Sequence, residues 1–428
     1  MISTIKFSLF PKMLYKYTTY MNSVEKDLIK KYGIVKKLPK TELLDISETI
    51  SELSYLTHSH FRYYGKFPSK LASYFLERYS TDNSVLLDNY VGSGTSLVEA
   101  KLKGIPSYGI DINPLAVLAS NVKTCHYDKK QLEKYYNDIK DLIYKDYKSE
   151  DLEYYTPDWS SLGKWFTEQA VTDLSIIKKV ISEYNFSTIE YKEFFLLAFL
   201  GIIRRVSVAY DGEVRPHVNK SKRVREIKSA FLKKAYEMIM DSAEFSYASN
   251  SKTKSVSFIG TNTDLEQISP NFTEKINLVL SHPPYLNCFD YLPVFNLELQ
   301  WSIGLPEVWQ DFTLKEIKGM ETKSWPATNE SILYGYFDQL KNSYQEVFNV
   351  LDKNSVCGIV IGDSTINGEL IRVHKILAQI CIDIGFEFEN MVYRTTHYGT
   401  GKYSYKAKAN YHGADEEKKD GIIILRKR

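Results

Sequence analysis

One stretch constrains the fold more than any other: Val85-Leu-Leu-Asp88, then Asn89-Tyr-Val-Gly-Ser-Gly-Thr95, then Ser96-Leu-Val-Glu-Ala-Lys-Leu-Lys103. A short apolar run, a turn with two glycines and a longer apolar-polar run read as strand, loop and helix. Gly104 closes the helix, and Ser107-Tyr-Gly-Ile-Asp111 reads as a second strand. Two strands joined through a helix lie side by side and parallel. The segment is therefore one βαβ unit of an α/β sheet, and Pro114 opens a further helix through Val122.

The same unit is built for a ligand. Glycines let backbone approach a bound molecule, and the helix start offers free N–H groups. Asp111, at the end of the second strand, suits the two hydroxyls of a ribose. There is no Gly-x-x-x-x-Gly-Lys-Ser/Thr, so a triphosphate cradle is not supported. A dinucleotide would want a third glycine where Val98 or Glu99 stands. A nucleoside ligand without pyrophosphate fits better.

Strand patterns resume at Val256–Ile259, Ile276–Leu280, Val356–Gly362, Glu387–Arg394 and Gly421–Arg426, with helices over Tyr334–Leu351 and Leu370–Ile384. The run Ile276–Leu280 leads into Ser281-His-Pro-Pro-Tyr285. Proline cannot extend a sheet ladder, so the chain must turn there. Open α/β sheets place ligands at this carboxyl end. As a bare turn signal, Pro-Pro reads equally well as a loop breaker with Tyr285 packing beside it. The glycine turn upstream shifts the balance toward a binding site.

Residues 129–254 interrupt the α/β pattern with helices near Lys129–Tyr144, Thr167–Tyr184, Tyr191–Val206 and Arg223–Ser246. From Ile202 to Lys234 there are ten Lys or Arg against three acids. Arg204, Arg205, Arg215, Lys220, Lys222, Arg223 and Arg225 are candidates to neutralise phosphates. A solvated helix face is the bland alternative. Gly212 and Pro216 place part of the cluster on a loop, where recognition is commoner. The first residues suggest helices near Ser23–Lys31 and Thr41–Leu56, with a packing role. The division expected is an N-terminal helical segment 1–58, an α/β domain 59–128 with 255–428, and a helical insertion 129–254. Thr395 to Asp420 reads as a polar, mobile loop.

Composition excludes several classes. No apolar run approaches membrane-spanning length, and the N-terminus lacks the pattern of a signal peptide. The four cysteines are scattered, without a Cys-x-x-Cys pair, which argues against a zinc ribbon or disulfide framework and fits a reducing cytosol. Net charge is only +2, so any polyanion partner must be read from local patches.

Asp88-x-x-x-Gly-Ser-Gly-Thr95, Gly109-Ile-Asp-Ile-Asn-Pro114 and x-Pro283-Pro-Tyr285, in that order, resemble S-adenosylmethionine-dependent DNA methyltransferases acting on exocyclic amines, especially the cytosine-N4 type. The resemblance covers about His60 to Cys125 and Val256 to the C-terminus, with the segment near Phe194 to Pro216. It implies a Rossmann-like methyltransferase sheet with helices on both faces. It implies that Lys66-Phe67-Pro68 packs on the cofactor, that Asp88, Tyr90, Gly92, Ser93, Gly94 and Thr95 form its loop, that Asp111 with Ile112 holds its ribose, and that Asp264, after the third strand, also binds the cofactor. It implies a catalytic motif of Ser281, His282, Pro283, Pro284 and Tyr285. Three departures stand out: Asp88-Asn89-Tyr90 for Asp-Pro-Phe, Gly260-Thr261 for Gly-Asp, and His282 where the family has Ser, Asp or Asn. Neutral imidazole has one acceptor nitrogen and suits the role; imidazolium has none. The implied partners are double-stranded DNA, with the base flipped out, and a restriction endonuclease or defence system. Adenine N6 or RNA as the acceptor, or a silent DNA-binding relative, are the alternatives.

Overall fold

A computed structural model describes residues 23–286, 291–305, 330–366, 369–394 and 420–428. Its strands are β1 (Thr41–Leu44), β2 (Leu86–Asp88), β3 (Ser107–Asp111), β4 (Ser255–Ile259), β5 (Ile276–Ser281), β6 (Leu351–Gly362), β7 (Ser364–Ile366), β8 (Glu369–Ile371), β9 (Glu387–Arg394) and β10 (Asp420–Lys427). Eight of them form one sheet in the order β1-β9-β10-β6-β5-β2-β3-β4. Every neighbouring pair runs parallel except those made by β10, which is antiparallel to β6 and β9.

Side chains alternate across each strand, so one strand feeds two cores. Leu278 and Leu280 pack with Leu71, Phe75 and Leu76 of helix Ser69–Tyr79 on one face. Ile276 and Val279 pack on the other face with Phe337, Leu340 and Tyr344 of helix Glu330–Val350 and Leu377 of helix Val373–Ile384. The expected α/β sheet with helices on both sides is therefore present.

The expected helix over Thr41–Leu56 is not. Thr41–Leu44 is a strand, and two short 3-10 turns follow at Glu52–Ser54 and Leu56–Ser59. Four residues cannot hold a strand alone; β1 exists because Thr41 to Leu44 pair with Met391 to Arg394. The polar stretch from Thr395 lies outside the described residues until Asp420, which opens β10.

The helices of the insertion, chiefly Lys129–Ile143, Glu168–Glu183, Ile189–Val206 and Ile227–Ala248, surround a core that includes Phe194, Phe195, Phe199 and Phe231. That core runs on into Leu115, Leu118 and Val122 of helix Pro114–Thr124, and into Phe61 and Tyr63. The insertion is thus packed against the layer that carries the glycine turn, with residues 61–64 between them.

Candidate active site

At the carboxyl ends of β2 and β3 the glycine turn closes over Asp111. The Gly92 N–H donates to Asp111 Oδ2 at 2.9 Å and the Asn113 N–H to Oδ1 at 2.9 Å. Burial nevertheless pushes this carboxyl up to about 6. Gly94 has φ +78, the left-handed region, and its Cα hydrogen lies where a Cβ would meet Ser120 Oγ at 2.5 Å and Ser120 Cα at 2.9 Å. Glycine is required there on both counts. Asp88 sits beneath the turn, fully buried and pushed up to about 7 by that burial. It accepts from Ser96 Oγ and, at 3.0 Å, from the Tyr90 N–H. Asp88 therefore ties the turn to the following helix rather than facing a ligand.

A cavity of about 400 Å³ opens in front of this turn. The turn side contributes Asn89, Tyr90, Gly92, Ser93, Thr95, Asp111, Ile112 and Asn113, and the facing wall Lys66, Phe67, His282 and Pro284. Thr261 and Asn262 close one end and Gln339 and Asn342 another. Four residues that line it each carry a fully buried polar atom with no partner among the described residues: Asn89 Oδ1, Ser93 Oγ, Asn113 Nδ2 and His282 Nε2. Buried polar groups are almost always hydrogen-bonded, so four orphans among the lining residues give this cavity a polar surround. A carboxylate for a diol, amide groups and a glycine turn fit the nucleoside and amino-acid parts of S-adenosylmethionine.

His282 is held between two rings. Phe67 meets it edge-on with centroids 5.2 Å apart, and Tyr285 meets it edge-on at 5.3 Å. Desolvation in this setting, with the charge of Arg394 adding to it, lowers its pKa to about 3. The imidazole is neutral at physiological pH, so this lining residue of the cavity keeps one acceptor nitrogen. Tyr285 does not line the cavity. Its hydroxyl donates to Asp420 at 2.9 Å, and Arg394 grips the same carboxylate at 2.8 Å and 2.9 Å. Tyr336 donates its hydroxyl to the Pro284 carbonyl at 3.0 Å, fixing the turn. A second cavity, of about 360 Å³, lies beyond Lys66, Phe67 and Thr95 and is lined also by Pro68, His58, Arg394 and Asp420.

Several residues singled out in the sequence stand elsewhere. Ser281 is buried on the opposite side of β5, where its hydroxyl meets that of Tyr344 at 2.9 Å. Strand alternation sends it to the face of Val279, away from His282. Asp264 lies outside the cavity and its carboxylate takes the Gln267 amide at 2.5 Å; Asn262 reaches the cavity instead. Asn89 and Asn113 lie within the quoted motifs without having been singled out for the site, and Asn262, Gln339 and Asn342 carry no spacing signal. Only their convergence in space marks the last three.

The basic cluster divides. Arg204 is buried, and its guanidinium donates to the carbonyls of Tyr210, Glu213, Val214 and Val294. Lys222 Nζ donates to the carbonyls of Arg204 and Ala209 and to Asp211 Oδ1. These two cations are spent inside the protein, because a bend of unpaired carbonyls needs donors; they leave the set of phosphate contacts. Arg205, Arg215, Lys220, Arg223 and Arg225 are exposed.

The sheet order, the glycine turn and the acid after β3 define a Rossmann-like methyltransferase fold. A family model described as DNA methylase matches residues 12–121. A Type II methyltransferase, M.MvaI of Kocuria varians, is 27% identical over 249 residues, 54% of this chain and 53% of its own length. M.MjaII of Methanocaldococcus jannaschii, also a Type II methyltransferase, is 33% identical over 34% of this chain and 25% of its own length. A third, M.BsoBI of Geobacillus stearothermophilus, is 25% identical over 72% of this chain and 63% of its own length. Over these stretches the chain is similar to DNA methyltransferases, in line with the resemblance of its motifs, and it spans a quarter to under two thirds of each relative's length.

Proposed function

We propose that the chain transfers a methyl group from S-adenosylmethionine to an exocyclic amine of DNA, cytosine N4 in preference to adenine N6, in host-DNA modification beside a restriction or defence partner. The observation that carries this reading is His282, a neutral imidazole that lines the cavity Asp111 and the glycine turn build and whose Nε2 is buried without a partner among the described residues. An aromatic exocyclic amine is a poor nucleophile, because its lone pair is delocalised into the ring. Accepting a hydrogen bond from an amino hydrogen pulls that lone pair back toward nitrogen. His282 has the acceptor for this task; as the new N–CH3 bond forms and the S–CH3 bond would break, the surplus amine proton passes to solvent, since the histidine's low basicity makes it an acceptor and not a store for that proton.

S-adenosylmethionine supplies an electrophilic methyl group when bound. Asp111 would take its ribose hydroxyls, and Phe67 with Lys66 would close over it. Phe67 also excludes water from His282, which strengthens the acceptor's interaction. The base must leave the duplex before its amine reaches this wall. Cytosine is favoured by the Pro-Pro-Tyr string, which resembles the cytosine-N4 type.

The test is transfer of labelled methyl to a pooled genomic DNA, followed by digestion and identification of the methylated nucleoside. N4-methylcytosine is expected from the wild type. His282→Ala is expected to lose transfer while still binding S-adenosylhomocysteine; full activity in that variant removes His282 from the mechanism. Label appearing in RNA alone would move the substrate class.

A further inference from the structure

We infer that residues 207–225 form a rigid DNA-reading loop at the rim of the cavity, with Arg215 at its tip as the residue that sets sequence preference. This rests on the DNA substrate proposed above and assigns it a surface.

The loop is held from within. Arg204 reaches the carbonyls of Tyr210, Glu213 and Val214 on it, while Lys222 returns to Ala209 and Asp211. A backbone bridge joins Ala209 to Val218, and the Tyr210 N–H donates to the His217 carbonyl at 3.0 Å. A fork of five N–H donors on several carbonyls fixes a bend that would otherwise sample many shapes. Preorganisation of this kind lowers the ordering cost of binding.

The loop is also fastened to the site. Arg62 Nη1 donates to the Asp211 carbonyl at 2.8 Å and the Tyr64 hydroxyl to the Glu213 carbonyl at 2.7 Å. Tyr63, between them, lines the cavity and stands against Gly92, where a Cβ would come within 3.2 Å of its ring. Arg204 further reaches the carbonyl of Val294, in the short helix Tyr291–Val294 whose Tyr291 lines the same cavity. The loop therefore sits one residue away from the cavity wall through Arg62 and Tyr64, and Arg204 links it more remotely to the helix that carries Tyr291.

Its outer side is basic. With Arg204 and Lys222 turned inward, Arg215, Lys220, Arg223 and Arg225 remain exposed along it. His217 is tied to Glu213 at 3.3 Å, which leaves Arg215 as the cation at the bend. A double helix is the occupant this charge fits: the flanking arginines and lysine meet phosphates, and a guanidinium at a rigid tip matches the two acceptors of a guanine edge.

The experiment is modification-sensitive sequencing of DNA from cells expressing the wild type, Arg215→Ala, or Arg223→Ala with Arg225→Ala. Arg215→Ala is expected to relax the methylated motif at one or more positions. The double variant is expected to lower the methylated fraction without changing the motif. Wild-type methylation with the same motif and fraction in all three overturns the loop assignment. If the wild type methylates nothing, the activity proposed above fails and binding decides the loop alone. A fluorescent random-sequence 30-base-pair duplex is then titrated at several salt concentrations. The triple variant of residues 215, 223 and 225 is expected to lower the salt slope by roughly 2–3; an unchanged slope rejects the surface.

Discussion

Phe67 stands edge-on to His282, with ring centroids 5.2 Å apart and planes at 89°. This contact, with Tyr285 on the same imidazole, keeps His282 dry and neutral. Its ring resonances are expected not to titrate between pH 5 and 8 in NMR spectra of the folded protein. Phe67→Ala admits water, and the titration should then move up from about 3 toward the ordinary 6.5. A wild-type titration near 6.5 would rule out the shielded state.

The same depression has a signature in stability. The folded state refuses a proton that the unfolded chain accepts below 6.5, so stability is lost as pH falls from 6.5 toward 3. His282→Gln removes that proton linkage. The stability difference between wild type and His282→Gln, from urea unfolding, should shift against the wild type by up to about 1.4 kcal/mol per pH unit in that window. Parallel curves would show that His282 is not desolvated.

Asp111 has the opposite displacement. Burial raises it to about 6, so it is ionised at neutral pH and protonates as pH falls through 6. A protonated carboxyl loses acceptor strength toward a ribose diol. Calorimetric affinity for S-adenosylhomocysteine should weaken as pH drops from 7 to 5. Asp111→Asn should bind about 10–100-fold more weakly at pH 7, given about 1.5–3 kcal/mol for a charged hydrogen bond, and should flatten the pH dependence.

How far the sequence could be read depended on range. Gly92, Gly94 and Asp111 announce themselves because a tight turn and a strand end are local events, and Pro283 with Pro284 stops a strand wherever it lies. Strand β1 was hidden, since Thr41 to Leu44 become a strand only through partners near residue 391. Ser281 and His282 are adjacent in sequence but face different cores, and only the register of β5 decides which one meets the cavity. Arg204 and Arg205 look identical in a charge run. One is buried among carbonyls and the other is exposed, because a helix turns successive residues by about 100°.

Gly94 offers a test of the turn itself. Gly94→Ala must adopt φ +78 with a Cβ driven toward the Ser120 backbone. Strain of this kind costs about 1–3 kcal/mol, and the displaced turn carries the Asp111-binding amide of Gly92 with it. A lower Tm and a loss of S-adenosylhomocysteine affinity are expected together. Retained affinity in a destabilised variant would mean the turn relaxes without moving the ligand-facing amides.

Arg204→Lys separates charge from geometry. Lysine keeps the positive charge but cannot fork across the carbonyls of Tyr210, Glu213, Val214 and Val294. Carbonyls left without donors around the buried end of this side chain cost up to about 1–3 kcal/mol, less where water reaches them. The helix Ile189–Val206 ends at this residue's turn and is anchored by Phe194, Phe195 and Phe199 in the core, so the damage should stay in the loop. Hydrogen exchange of the Tyr210 and Asn219 amides, which donate to His217 and Val208, should accelerate while exchange in the sheet is unchanged. If the cluster served phosphates rather than the loop, Lys would substitute for Arg without change in these amides, and only nucleic-acid affinity would respond.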